Sequence, residues 1–339
     1  MIKERVQWID VAKFLGIFAI YIGHIGGAAI PISLFVFYYH VPLFFFLSGC
    51  MSNYDKETNY GKFVLKKLKS ILIPFFLFSF LALFVEVLYK GLPHESVTGY
   101  LLLISQGNIR NTFFAASLWF LSCLFVVELV FKLIKYLKHK WLILLLCIIV
   151  YFFTVLVVMT KLAPVPSWPY NFDSALYYLI FYAIGYIAYP YILELFKLDS
   201  KKKRGIFIAT GIVSAAYAIA LFFGIDVITQ AFGDIKVMEH IIPLLRIPLL
   251  IWVNLCAAKL FEKIDIFKEI GQNTLYLCGN EYIITTLLAN ILGMFSFGVN
   301  IITPLTGFIY ASILILVGIK LVIPFEKAIV NSFKQAFCK

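Results

Sequence analysis

The chain is a succession of apolar runs, each ended by a short charged, proline or glycine break. A run of roughly 20 mostly apolar residues is what one helix needs to cross the hydrocarbon of a bilayer. Between the breaks, candidate spans fall at 10–30, 31–51, 70–89, 114–134, 141–160, 174–196, 206–224, 241–260, 274–294 and 299–323. The pattern predicts an all-α polytopic membrane protein of about ten transmembrane helices. It contains no internal repeat, low-complexity tract or soluble domain of useful size. One membrane-embedded domain over 1–339 is expected, with a core at about 8–325 and a tail at 326–339.

Composition agrees with this reading. Of the 339 residues, 62% are hydrophobic, 18% aromatic and only 14% charged, and mean hydropathy is +0.94. Soluble domains sit near 45–50% apolar and about 25% charged. The N-terminal MIKERVQWIDVAKFLG starts with positive charge but has no A-x-A-like cleavage site, so the first span is expected to be retained. Cys50, Cys123, Cys147, Cys256, Cys278 and Cys338 show no CxxC or metal-ligand spacing, which makes them small core residues and leaves no metal site to expect.

The net charge of +11 would point to nucleic acid only if the basic residues gathered on a folded soluble surface. Here they fall between apolar runs and act as topology signals. With a cytoplasmic N-terminus, cytoplasmic segments hold 23 Lys and Arg and the opposite loops hold 4, the bias of the positive-inside rule. Both termini are therefore expected in the cytoplasm. The external loops near GLPHESVTGY and LAPVPSWPYNFDS carry Pro, Trp and Tyr, and fit a lid or acceptor surface.

Ionisable groups inside spans are functional candidates, because a central Lys or Arg costs about 2.5–3.5 kcal/mol even on insertion scales. In KFLGIFAIYIGH, Lys13 and His24 are 11 residues apart. At 100° per residue they return to within about 20° of one helix face, separated by a rise of ~16 Å. Asp10 precedes Lys13 by one helical turn, the spacing of an ion pair. Two readings stay open. Lys13 snorkels and His24 is a hydrogen-bonded helix contact, or an elongated anionic ligand has its charged end at Lys13 and its reactive end at His24. Coenzyme A fits the second. In YYHVPLFFFLSG, His40 alone reads as structural, and Ser48 with Gly49 as a close-packing pair. Arg246, Asn280 and Glu281 are further polar residues in late spans, where Glu281 needs a cation and Arg246 is unassigned. Both are expected to line the site, the alternative being a polar contact between spans eight and nine.

The order of these stretches resembles the membrane-bound acyltransferase-3 family, and most closely the branch related to fucose 4-O-acetylase and capsular polysaccharide O-acetyltransferases. The likeness rests on WIDVAKFLGIFAIYIGH, in which D-x-x-K is followed by His24, then on HVPLFFFLSG, the basic run ending at Pro74, LWF around Trp119, Gly185 and GQNTLY from Gly271. The resemblance implies transfer of an acyl group, usually acetyl from cytoplasmic acetyl-CoA, to a hydroxyl of a carbohydrate or lipid-linked glycan. It implies a multi-pass protein of a cell membrane, expected to be the bacterial cytoplasmic membrane. No bound cofactor is expected, acetyl-CoA being a substrate. By the same likeness His24 is the essential histidine, acting as general base or acyl relay, and Lys13, Lys67 and Lys69 bind the donor. Asp10, His40, Ser48, Trp119, Arg246, Asn280 and Glu281 support or line the site.

This chain departs from the family's pattern in three ways. It has Lys where many members have Arg at 13 and 67, and Lys keeps the charge without the bidentate fork. Glu281 stands where relatives often have histidine. The appended extracytoplasmic esterase-like domain of some relatives is not expected here. The rival class is a transporter or flippase for a lipid-linked glycan, against which stand the missing internal repeat and the motif order. The charge bias makes a direct prediction: reporters fused at Lys201–Arg204 read cytoplasmic and reporters near Trp168 read external. The same side for both overturns the ten-span topology.

Overall fold

The computed structural model describes residues 5–25, 30–91, 97–110, 115–233, 235, 238–294 and 303–328. No strand occurs among them. The first third of the chain forms α1 (Gln7–Ile25), α2 (Ile30–Phe37), α3 (His40–Ser52), α4 (Tyr60–Lys67), α5 (Ile73–Lys90) and α6 (Val97–Ser105). The middle forms α7 (Trp119–Ile134), α8 (Lys140–Phe153), α9 (Phe172–Leu195) and α10 (Lys201–Phe222). The last third forms α11 (Val227–Phe232), α12 (Met238–Leu260), α13 (Asp265–Gln272), α14 (Thr274–Met294) and α15 (Pro304–Val317). The protein is all-α and polytopic.

Among the described residues, nine helical stretches are long and apolar enough to cross a membrane. The expected span at 114–134 is not one of them. It contains α7, 16 residues long, with short 3-10 turns at Ala116–Leu118 and Lys135–Leu137. Those tighter turns shorten its α-helical part.

The expected span 31–51 is interrupted midway. Tyr38 and Tyr39 form a turn between α2 and α3, and His40 becomes the first residue of α3. A break inside a bilayer exposes backbone polar groups that water cannot satisfy. Here the Val36 carbonyl accepts from the Tyr39 amide at 3.1 Å and from the His40 ring Nδ1 at 2.7 Å. Pro42, in the first turn of α3, has no N–H to leave unpaired.

Two helices hold the bundle together. α1 packs against α2, α3, α12, α13, α14 and α15, while α9 packs against α3, α7 and α8. The α3–α9 seam joins the two groups, and without a hydrophobic drive in lipid it depends on close approach. A Cβ on Gly49 would lie 2.0 Å from the Tyr182 carbonyl oxygen, and one on Gly185 2.0 Å from that of Phe46. The reciprocal contact lets Cys50 Sγ reach the Gly185 carbonyl at 3.4 Å and Asn53 Nδ2 the Tyr186 carbonyl at 3.0 Å. Phe44, Phe45 and Phe46 are consequently buried. Cys50, Cys123, Cys147, Cys256 and Cys278 are buried free thiols, while Cys338 lies outside the described residues.

Adding one methyl at this seam overpacks it, an error that typically costs about 1–3 kcal/mol. Gly49→Ala and Gly185→Ala should each lower the midpoint of thermal unfolding in detergent. Gly205→Ala, where a Cβ meets nothing within 4 Å, should not. Equal midpoints for all three variants would overturn this account of the seam.

Candidate active site

His24 ends α1 with its Nδ1 3.3 Å from Glu281 Oε1. The other carboxylate oxygen accepts from Ser117 Oγ at 3.2 Å, and Ser117 also bonds the Cys278 carbonyl at 3.1 Å. Exposure divides the pair: the His24 side chain keeps 28% of its surface and that of Glu281 10%. The imidazole is reachable and the carboxylate is walled in. His24 opens on a cavity of about 300 Å³ also lined by His40, Phe44, Arg110, Ser117, Trp119 and Tyr178.

Glu281 meets His24 because the starts of α14 and α1 are held side by side. A Cβ on Gly271 would sit 1.7 Å from the Asp10 carbonyl oxygen, so the chain entering α14 presses directly on the first turns of α1. Tyr21 then donates to the Leu277 carbonyl at 2.9 Å, keeping α1 and α14 in step up to His24. The expected cation of Glu281 is corrected. Arg246 pairs with Asp226 and Thr229 and lies over the Tyr38 ring at 4.5 Å, away from this cavity. Asn280, one residue from Glu281 and about 100° around the helix, donates instead to Glu326 at 2.9 Å.

The opposite wall is built by loops. Tyr170 and Asn171 adopt left-handed backbone conformations. The Tyr170 backbone N–H donates to the Gln106 carbonyl at 2.6 Å and the Asn171 side-chain Nδ2 to the Gly107 carbonyl at 2.9 Å. Asp173 accepts from the backbone of Ser167 and Trp168 at 2.8 and 3.0 Å. The segment expected to act as a lid is thus tied to the 105–108 turn; of the other expected lid segment, 92–96 lie outside the described residues. This scaffold positions Arg110, whose Nη1 donates to Ser174 Oγ at 2.6 Å and whose guanidinium lies 4.0 Å from the Trp119 ring centroid.

The Lys13 end of α1 opens on different space. Lys13, Ser48, Asp55, Lys66, Lys67 and Glu128 line a cavity of about 310 Å³, and Lys13 also borders a second of about 380 Å³ with Arg5, Asp10 and Tyr54. Between this region and the His24 cavity, the Phe44 ring packs on Gly16, where a Cβ would lie 2.8 Å from the ring. A larger pocket of about 660 Å³ around Arg5, Asp10, Glu262 and Lys268 includes neither Lys13 nor His24.

Two expected pairings change here. Asp10 takes a two-pronged contact from Arg5 at 2.6 and 3.0 Å instead of pairing with Lys13, because the guanidinium fork matches a carboxylate better than a single ammonium does. Lys67 and Lys69 do not line one cavity: residues two apart on a helix point about 200° away from each other. Lys67 pairs with buried Glu128 at 2.9 Å, Lys69 is exposed, and the lysines of the cavity are Lys13, Lys66 and Lys67. Lys66 also meets Asp55 at 3.1 Å. Burial raises the Asp55 carboxyl pKa, but the Glu57 amide and Lys66 outweigh it and hold the group below its ordinary value.

Sequence reasoning missed Arg110, Ser117, Tyr178, Lys66 and Glu128. Glu128 had a signal, being a carboxylate inside an apolar run. Arg110 was absorbed into the count of loop charges.

Residues 6–323 match the family model described as an acyltransferase domain, that of acyltransferase 3. No curated protein and no solved structure matches the chain. With the model spanning nearly all of the bundle, including both ends of α1 and the helix that carries Glu281, the chain belongs to the acyltransferase-3 family.

Proposed function

We propose that this membrane acyltransferase moves an acetyl group from cytoplasmic acetyl-CoA to a hydroxyl of a surface carbohydrate or lipid-linked glycan, as in the O-acetylating branch its motifs resemble. The observation that carries the reading is the His24–Glu281 pair facing a cavity. A carboxylate accepts only, so Glu281 fixes the proton on Nδ1 and leaves the Nε2 lone pair for chemistry. The acceptor hydroxyl gives its proton to Nε2 as its oxygen attacks the thioester carbonyl carbon. Glu281 stabilises the imidazolium that forms, the role of the carboxylate in acyl-transfer triads. The tetrahedral intermediate then expels the CoA thiolate, which takes the proton back from Nε2, and the ester is complete. In a relay, Nε2 would itself carry the acetyl group between thiol and hydroxyl.

Donor phosphates are assigned to Lys13, Lys66 and Lys67 at the cavity on the other side of the Gly16–Phe44 contact. The pantetheine arm runs along the α1–α3 seam past Phe44, spanning the ~16 Å rise between Lys13 and His24. Lys67 must exchange Glu128 for phosphate when the donor arrives. Family membership weighs against the flippase reading.

His24→Ala should lower kcat by about 10²–10⁴-fold, the usual contribution of a general base, while acetyl-CoA still binds. Glu281→Gln keeps an acceptor for Nδ1–H but loses the charge, and should lower kcat with little change in KM. A normal rate of CoA-thiol release from Glu281→Gln protein that inserts at normal levels would sink the dyad.

The donor side separates by lysine. Lys13→Ala, Lys66→Ala and Lys67→Ala should each raise the KM for acetyl-CoA about tenfold, the loss of about 1.4 kcal/mol of uniform binding. Lys13→Arg should stay near wild type and Lys69→Ala within about twofold. A Lys69→Ala effect as large as that of Lys67→Ala would refute the assignment from the cavity.

A further inference from the structure

Arg110 is a cation in the wall of the His24 cavity with no carboxylate in salt-bridge range among the described residues. Its neighbours are the Ser174 hydroxyl at 2.6 Å, the Tyr178 hydroxyl, which accepts a hydrogen bond from it, and the Trp119 ring beneath the guanidinium at 4.0 Å. A guanidinium carries five N–H donors in a rigid plane, and these two neutral hydroxyls leave donors to spare and its charge unbalanced. The aromatic face below holds that plane in orientation. A concave, partly desolvated site with one unneutralised cation favours an anion over a neutral ligand. The donor does not supply it: donor phosphates are assigned to Lys13, a rise of ~16 Å along α1 from His24 and beyond the Gly16–Phe44 contact.

We propose that Arg110 selects the acceptor: its guanidinium pairs with the carboxylate of an acidic sugar whose hydroxyl is delivered to His24. This rests on the acyl-transfer reading above. The planar fork matches a carboxylate in two parallel hydrogen bonds. A cavity of about 300 Å³ lies at the small end of ligand sites and suits one sugar unit. Trp119 and Tyr178, which approach one another at 5.9 Å between ring centroids, offer apolar faces to the C–H side of a sugar ring. Their rings are held from behind, Tyr178 stacking on Phe45 at 4.6 Å. Arg110 thereby acts as a specificity residue for the acceptor, while the donor end of α1 is indifferent to acceptor charge.

The test is equilibrium binding by calorimetry, with full-length protein in lipid nanodiscs and no donor present. The probes are methyl β-glucuronide, methyl β-glucoside and glucose 6-phosphate. Wild-type protein should bind the glucuronide at least about tenfold more tightly than the glucoside. Arg110→Gln should erase that difference while keeping its affinity for the glucoside, which reports an intact cavity, and Arg110→Lys should retain part of it. Equal binding of uronide and glucoside by wild type, no measurable binding of either, or a uronide preference that survives Arg110→Gln would each overturn the proposal. An Arg110-dependent gain for the phosphate alone would overturn the carboxylate in favour of a phosphorylated acceptor. Because the readout is binding, a protein that prefers the uronide through Arg110 yet releases no CoA would keep this inference and sink acyl transfer.

Discussion

A charge that enters a bilayer must be neutralised or solvated by the protein itself, since hydrocarbon offers it nothing. The arrangement of this bundle follows from that demand. His24 meets Glu281, Lys67 meets Glu128, and Arg246 meets Asp226. The first two pairs join helices distant in sequence, α1 to α14 and α4 to α7, while the third ties the start of α11 to α12. Lys13 and Arg110 have no such carboxylate among the described residues, and they stand at different cavities. Charges a structural bundle would have paired off are open where a ligand can reach them.

The geometry that permits those pairs comes from small residues and broken helices. Gly271 against the Asp10 backbone, and Gly49 and Gly185 across the α3–α9 seam, bring backbones closer than any side chain allows. The turn at Tyr38 and Tyr39 puts His40 at a helix start, where its ring joins the Tyr39 amide on the Val36 carbonyl and borders the same cavity as His24.

Much of this was legible in the chain. The helical class followed from run lengths alone, and the shared face of Lys13 and His24 followed from helical phase. What escaped was contact between helices. Glu281 is separated from His24 by most of the sequence, and nothing local indicates that the chain entering α14 is pressed against Asp10. Asp10 was assigned to Lys13 by helical spacing, but Arg5, just outside the helix, takes it with a better-shaped group. Lys66 is a different case. Helical phase already sets Lys67 and Lys69 about 200° apart, so the motif outweighed a geometric argument that was present in the sequence.

The carboxylate at 281 gives this chain's site a character of its own. A histidine at that position would face His24 with a second group able to donate or accept, and neither ring's tautomer would be fixed by the contact. A carboxylate removes that freedom: it accepts, so His24 donates from Nδ1 and keeps the lone pair on Nε2. Ser117 occupies the other carboxylate oxygen, and the low exposure of Glu281 keeps water from competing for the first. The orientation of the imidazole is therefore set from behind by residues of two other segments, while its front faces a cavity whose opposite side carries Arg110. Position 281 sets which ring nitrogen of His24 carries the proton; the loop wall sets which charge faces it across the cavity.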